Sequence, residues 1–336
     1  MMTRANQNNL LVVGETSESQ LAEWVRLYQI THLLSNRFDT CQSAQKAGIN
    51  VTLADFNLSL LDTHGFDSIL FPVSKEKMVS NHVLNQCAKH LTPSGHLFLF
   101  GKKNQGIKGY YDNCRKKLGY SGQIVKNKDN YTAKLAPPKD EHPNLRDDDY
   151  PQLKQTFSLW GYDVFSKPGI FGWNKIDAGS ELLVETLTNH IKQNDADIEE
   201  ALDLGCGYGY LSLALAHMGA KRITATDTNI TALNACKKNL EQTQVEFSVE
   251  ASDAGMQLTK AHDLIICNPP FHQGYDVANH LTERFLAQSH RLLKENGHAY
   301  YVVNAFIPLE KKAQSFFSNV QCLANSGSFK VIQLSK

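Results

Sequence analysis

Few features restrict a fold as tightly as a glycine-rich turn set between an apolar strand and a helix. This sequence has one at Asp203-Leu204-Gly205-Cys206-Gly207-Tyr208-Gly209. Glycines there allow positive φ and let the backbone approach a ligand closely. Around it, EEALDLGC, KRITATD, VEFSVEASD, HDLIICN and GHAYYVVN read as successive strands. Helical patterns separate them. In Thr231–Gln242, residues Ala232, Leu233, Cys236 and Leu240 share one face while Lys237 and Lys238 point away. In Val277–Leu293, residues Leu281, Phe285, Leu286, Leu292 and Leu293 do the same. Alternating strands and helices imply an α/β domain with a mostly parallel sheet.

At 336 residues the chain is long enough for two domains of roughly 150 each. Lys+Arg and Asp+Glu are each 34, which excludes a globally basic protein, so any nucleic-acid surface must be local. Seven scattered cysteines, none in a C-x-x-C pair, argue against a disulfide framework or a metal site and for a reducing cytoplasm. The segment MMTRANQNNL lacks the apolar stretch of a signal peptide, and no run reaches the roughly 18–20 apolar residues of a membrane helix. A soluble cytoplasmic protein with no membrane association is expected.

The two halves echo one another. VTLADFN (51–57) matches ITATDTN (223–229), FDSILFP (66–72) matches HDLIICNP (262–269), and LTPSGHLFLF (91–100) matches LKENGHAYYV (293–302). Where the second half has LDLGCGYG, the first is expected to have HLLSNRFD, without glycine. Between them APPKDEHPNLRDDDYP (136–151), with four prolines and no hydrophobic periodicity, reads as a linker. The expected organisation is a degenerate domain over 1–135, a linker over 136–155 and a catalytic domain over 156–336.

Asp227 ends the strand after the glycine turn, 22 residues beyond Gly205, where a carboxylate can accept from both hydroxyls of a ribose. This pattern alone also fits a nicotinamide dinucleotide fold. Two acids favour S-adenosylmethionine. Asp203 suits an aminoacyl ammonium better than a pyrophosphate, and Asp253 ends the third strand, where it can meet an adenine amino group. Asn268-Pro269-Pro270-Phe271 is more specific still. It follows the apolar strand 264–267, at the carboxyl end where α/β sheets bind ligands. An amino group on a base is a poor nucleophile because its lone pair is delocalised into the ring. The Asn268 side-chain oxygen and the Pro269 carbonyl can hold its two protons, the prolines stiffen the acceptors, and Phe271 offers a face for a flipped-out base. An oxidoreductase reading leaves these four residues idle. His272 reads as a turn histidine, and Cys206 and Cys267 as buried small residues rather than nucleophiles.

From Gly101 to Lys139 there are ten Lys/Arg (102, 103, 108, 115, 116, 117, 126, 128, 134, 139) against Asp112 and Asp129, a balance of +8. Tyr110, Tyr111, Tyr120 and Tyr131 are interleaved. That composition suits contact with phosphates and unpaired bases, so the first copy is expected to hold nucleic acid.

Four stretches together resemble the RsmC-type guanine-N2 methyltransferases of small-subunit (16S) ribosomal RNA. They are 165–171 (FSKPGIF) with 177–180 (DAGS); the glycine turn; 268–272 (NPPFH); and 304–308 (NAFIP) with 327–331 (GSFKV). The resemblance implies two tandem Rossmann-like class I methyltransferase domains, the N-terminal one degenerate. It implies cofactor contacts at Asp203, Gly205, Gly207, Gly209, Asp227 and Asp253, with Phe171, Asp177 and Gly179 closing the pocket. It also implies base contacts at Asn268, Pro269, Pro270 and Phe271, and ribosomal RNA in the small ribosomal subunit as the partner; separately, a monomer is expected. Asn-Pro-Pro-aromatic equally serves large-subunit guanine N2, adenine N6 or a protein glutamine amide. A non-catalytic RNA-binding assembly factor is disfavoured, because the second copy keeps the chemical residues that the first has lost.

Overall fold

The computed structural model describes residues 7–63, 65–194, 197–270 and 275–336. The chain divides between Gln152 and Leu153 into two compact units. In the first, strands β1 (Asn9–Val13), β2 (His32–Ser35), β3 (Asn50–Leu53), β4 (Phe66–Pro72), β5 (Leu91–Lys102), β6 (Ser121–Asn127) and β7 (Asn130–Ala136) form one sheet in the order β3-β2-β1-β4-β5-β7-β6. Helices α1 (Glu18–Tyr28), α2 (Phe38–Lys46), α3 (Lys77–His90) and α4 (Ile107–Lys116) connect them. Strands β1–β5 run parallel, whereas β7 returns antiparallel to β5 and β6 antiparallel to β7. The central strand is buried on both faces: Leu10 and Val12 belong to one core cluster, Leu11 and Val13 to the other.

The second unit opens with a hairpin, β8 (Lys154–Leu159) and β9 (Tyr162–Ser166), and a helix, α5 (Ala178–Asn194). Strands β10 (Glu200–Leu204), β11 (Arg222–Asp227), β12 (Glu246–Ala251), β13 (His262–Cys267), β14 (Leu293–Asn304), β15 (Asn319–Asn325) and β16 (Phe329–Ser335) follow, in the order β12-β11-β10-β13-β14-β16-β15. Helices α6 (Tyr210–His217), α7 (Ile230–Leu240), α8 (Tyr275–Leu292) and α9 (Leu309–Ala313) connect them. Strand for strand this is the order of the first sheet, with the same parallel run and the same antiparallel end.

The shared topology corrects the expected matching by one strand. The echoes of β4 with β13 and β5 with β14 agree with the sheet positions. VTLADFN, however, contains β3, the outermost parallel strand, whose counterpart is β12 rather than the ITATDTN strand β11. HLLS is β2, so the counterpart of the glycine turn is the segment after β1, which does carry a glycine, Gly14. The slip arose because every outer parallel strand here is a short apolar run ending in polar residues. In the first unit Phe56, buried, covers that turn: a side chain at Gly14 would meet its ring at 3.5 Å.

The proline-rich segment is packed rather than free. Leu145 and Tyr150 are buried in the first core. Asn85 on α3 exchanges hydrogen bonds with both Leu145 backbone groups (2.7 and 2.9 Å), Asn81 donates to the Arg146 carbonyl, and Tyr150 donates to Asp55. The tyrosines expected among the basic residues also differ. Tyr110, Tyr120 and Tyr131 are core residues and Tyr111 is half-buried, whereas all ten lysines and arginines of 101–139 are exposed.

Candidate active site

Strand β10 delivers the chain into the glycine turn. Gly205, Gly207 and Gly209 all have positive φ (89°, 54° and 91°), a region other residues enter at a cost. The amides of Gly205 and Cys206 donate to the Thr226 carbonyl at 2.8 and 2.9 Å, pinning the turn to β11. A Cβ at Gly209 would stand 2.8 Å from the Cys236 sulfur, so this glycine lets α6 pack on α7. At Gly207 a Cβ would meet nothing within 4 Å: the space beside the turn is open.

Asp227, at the end of β11, faces that space from a fixed position. Its Oδ2 accepts from the Gly207 amide at 3.0 Å and its Oδ1 from the Asn229 amide at 2.8 Å. Each oxygen retains a lone pair for an outside donor. Asp203 lies deeper than its place in the motif implies. It is fully buried beneath the turn, its Oδ2 accepts from Ser212 Oγ at 2.6 Å, and its Oδ1 has no partner among the described residues. Burial, with Asp227 nearby, raises its carboxyl from the ordinary range to about 7. Asp253 follows β12 and is ion-paired with Arg284 on α8 through Oδ2. Its amide donates to Gln257, and its Oδ1 accepts no hydrogen bond among the described residues, so that oxygen is offered to an outside donor.

Asn268 stands directly after β13, beside β10 in the sheet. Its Nδ2 donates to Asp177 Oδ2 at 2.9 Å and to Ser180 Oγ at 2.8 Å. Asp177 precedes α5, and its Oδ2 also accepts from the Ser180 amide at 3.0 Å, capping the helix. An ionised carboxylate only accepts, so this contact fixes which way the amide of Asn268 faces. Its Oδ1 accepts no hydrogen bond among the described residues. Pro269 is buried and Pro270 exposed. Phe271 and His272 lie outside the described residues.

The loop from 167 to 177 is stitched to all three motifs. The Gly169 carbonyl accepts from Asn229, the Lys175 carbonyl from Tyr208 in the glycine turn, and Asp177 from Asn268. Phe171 on this loop is 64% exposed. Gly179 has a packing role, since a Cβ there would crowd the Phe329 ring at 3.0 Å and Asp177 Oδ2 at 3.1 Å. Tyr208 and Tyr210 pack toward the β8–β9 hairpin, against Phe157 and Trp160. Cys206 and Cys267 are buried and their thiols are pushed well above the ordinary range, chiefly by burial, which suits packing rather than nucleophilic chemistry.

The sequence reasoning missed Ser180, Arg284 and Phe306. The Ser180 hydroxyl has a legible signal, one turn into a helix that starts just after Asp177. Arg284 has none, because only the fold brings it to Asp253. Phe306, 83% exposed just beyond the carboxyl end of β14, lies inside a quoted stretch and is an aromatic out of place on a free surface. Among the described residues no group of three or more His, Cys, Asp or Glu could hold a metal, and no helix is long and apolar enough to cross a membrane.

The comparisons with known proteins agree with this geometry. The family described as "Methyltransferase small domain" matches residues 161–333, and "Methyltransferase small domain N-terminal" matches 3–126. The ribosomal RNA small subunit methyltransferase C of Haemophilus influenzae (strain PittGG) is 30% identical over 272 residues, covering 79% of this chain and 78% of its own. That of Shewanella loihica is 27% identical over 311 residues, covering 88% and 84%. A solved structure of T. thermophilus RsmC, a 16S rRNA N2 methyltransferase in complex with AdoMet and guanosine, superposes with a TM-score of 0.83 at 24% identity. It covers 100% of this chain and 90% of its own, so the two-unit fold is shared throughout. With both halves matched in order and the relatives aligned over most of their length, the chain belongs to the ribosomal RNA small subunit methyltransferase C family.

Proposed function

We propose that the chain transfers the methyl group of S-adenosylmethionine to the exocyclic N2 amine of a guanosine in 16S ribosomal RNA, acting as a cytoplasmic monomer on the assembled small subunit. The observation that carries the reading is the held amide of Asn268, at the strand end next to the glycine turn and its open side. The residues fit the cofactor. Asp227 has lone pairs for both ribose hydroxyls, the space at Gly207 is open, and Asp253 keeps Oδ1 for an adenine amino group. Asp203 acts on an ammonium through its field, from beneath the turn, where low dielectric strengthens the attraction.

When bound, S-adenosylmethionine supplies a methyl group already activated on a sulfonium. The chain's own work is therefore positioning. Asn268 Oδ1 and the Pro269 carbonyl accept hydrogen bonds from the two N–H groups of the guanine amine and aim its lone pair; one of these protons leaves to solvent as the N–CH3 bond forms. Asp177 and Ser180 keep Asn268 from flipping its amide nitrogen into that place. The seven free cysteines suit a reducing compartment, and each unit closes cores of its own, which suits a monomer.

The test is methyl transfer from labelled S-adenosylmethionine to ribosomal RNA from cells lacking this protein. Free RNA and assembled subunits are compared, with nucleoside mass analysis of the product. N2-methylguanosine in small-subunit RNA, formed faster on subunits, is expected. Label in another acceptor, or none with cofactor still bound, would overturn the reading.

A further inference from the structure

The loop 252–258, which carries Asp253, turns through left-handed backbone at Ala254 (φ 49°) and Gly255 (φ 80°). Several side chains pin its backbone. Gln257 Oε1 accepts from Ser252 Oγ at 2.6 Å and from the Asp253 amide at 3.0 Å. Arg291 on α8 donates to the Gly255 and Leu258 carbonyls at 2.9 and 2.8 Å. Arg284, about two turns earlier on the same helix, meets the loop at the Asp253 carboxylate instead. This pair is partly exposed, the arginine side chain by 44% and the aspartate by 17%, so it adds little to stability. What it fixes is direction. A carboxylate turns easily about its last bond, and a guanidinium on Oδ2 leaves Oδ1 as the oxygen turned to an outside donor.

The first unit, with the same topology, shows that the fold does not require this cation. There the Ala54 amide donates to the Ser35 carbonyl at the end of β2, as the Ser252 amide donates to the Asp227 carbonyl at the end of β11. Asp55 therefore takes the place of Asp253, and Phe56, at φ 55°, that of Ala254. This loop too is pinned from the following helix, where Gln86 donates to the Phe56 carbonyl at 3.0 Å and accepts from the Leu58 amide at 2.9 Å. The counterpart of Arg284 is His82, since each stands nine residues before the strand that follows its helix. His82 pairs with Asp147, and Asp55 accepts from the hydroxyl of the buried Tyr150. Both units keep the acid. The arginine on it belongs to the unit that keeps the three-glycine turn.

We propose that Arg284 is a positioning residue for cofactor specificity. By holding Oδ2 of Asp253 it aims Oδ1 at the amino group of adenine, and the pocket selects adenosyl ligands over purines that lack the amine. The proposal rests on the placement of that amino group at Asp253 in the reading above. A hydrogen bond to a charged acceptor is worth roughly 10–100-fold in affinity. Much of that depends on the acceptor standing in place before the ligand arrives, which is what the arginine secures.

The test uses the full chain and two ligands, S-adenosylhomocysteine and its analogue with hydrogen in place of the adenine amino group. Calorimetry gives the ratio of their affinities, which in wild type should favour the amine by roughly 10–100-fold. Arg284→Ala should weaken S-adenosylhomocysteine about tenfold and the analogue less than about twofold, so that most of the ratio is lost. Thermal stability should hold, because the loop backbone keeps its other anchors. Arg284→Lys should recover part of the ratio, and Arg284→Ala added to Asp253→Ala should cost nothing further. A ratio as large in Arg284→Ala as in wild type overturns the proposal. So does equal weakening of both ligands, which would make the arginine a prop for the loop. So does a loss confined to the KM for RNA, which would make it a phosphate contact. Wild type that binds both ligands alike overturns the placement of the adenine amine at Asp253 together with the proposal. A ratio that is lost with Arg284→Ala, in a chain that methylates no RNA, upholds the proposal and overturns the methylation reading.

Discussion

Asn268 and Asp177, 91 residues apart, meet through a hydrogen bond of 2.9 Å in which the amide nitrogen faces the carboxylate. The opposite flip would set two oxygens against each other, so the contact selects one orientation of Asn268. Asn268→Ala should keep cofactor affinity and lose most turnover. Asp177→Ala should lower kcat by roughly 10–100-fold, the worth of one hydrogen bond to a charged group. Its cofactor affinity should change by less than about threefold. Single-turnover methylation beside calorimetric titration of the cofactor separates the two. Normal kcat in Asn268→Ala would remove this residue from the site.

Asp227 holds two backbone amides as well as facing the open space at Gly207. Asp227→Ala should weaken S-adenosylmethionine binding by roughly 1.5–3 kcal/mol through lost charge-assisted hydrogen bonds. Asp227→Asn should recover part of this, since its side-chain oxygen still accepts. Calorimetry gives both values directly, and unaltered affinity in the alanine variant would place the ribose elsewhere.

Asp203 predicts an unusual pH dependence. An unfolded aspartate ionises near 4, whereas burial holds the folded carboxyl at about 7. Between those values the folded chain keeps a proton that the unfolded chain has released. Stability from this group is therefore greatest below about pH 4, falls as pH rises toward 7, and is flat above. Asp203→Asn should remove that decline. Urea unfolding of both chains at pH 5 and pH 8 should show wild type losing on the order of a few kcal/mol relative to the variant. Parallel behaviour would mean that the carboxyl ionises normally. A bound ammonium stabilises the carboxylate, so cofactor binding at pH 6 should release a proton, visible as a heat that depends on the buffer.

Phe306 is 83% exposed beyond β14, next in the sheet to the strand that carries Asn268. An apolar ring so placed suits stacking on RNA, worth about 1–3 kcal/mol per base. Phe306→Ala should lower kcat/KM for RNA by roughly 5–150-fold and leave cofactor binding and thermal stability unchanged. Full activity would make the ring an ordinary surface residue.

The glycine turn, Asp227 and Asn268 were legible in the sequence because each is a local motif at a strand end. The contact of Asn268 with Asp177 was not, because it joins segments 91 residues apart through the order of the sheet. The buried tyrosines could have been read from spacing. Ile107, Tyr110 and Cys114 fall on one helical face, and Tyr131, Ala133 and Leu135 alternate along one strand. Composition outweighed periodicity there. The slipped strand match has a different cause: short apolar strands resemble one another, and only hydrogen-bonded neighbours tell β2 from β3.

The strap from Leu145 to Tyr150 decides where this protein can be cut. A fragment ending at residue 135 would lose both buried side chains and the partners of Asn81 and Asn85 along α3. It would present a greasy seam and precipitate, and its failure would say nothing about RNA. A fragment ending at Gln152 takes the strap with it, so protease should spare the stretch 144–150 in the native chain and cleave there only after α3 has let go.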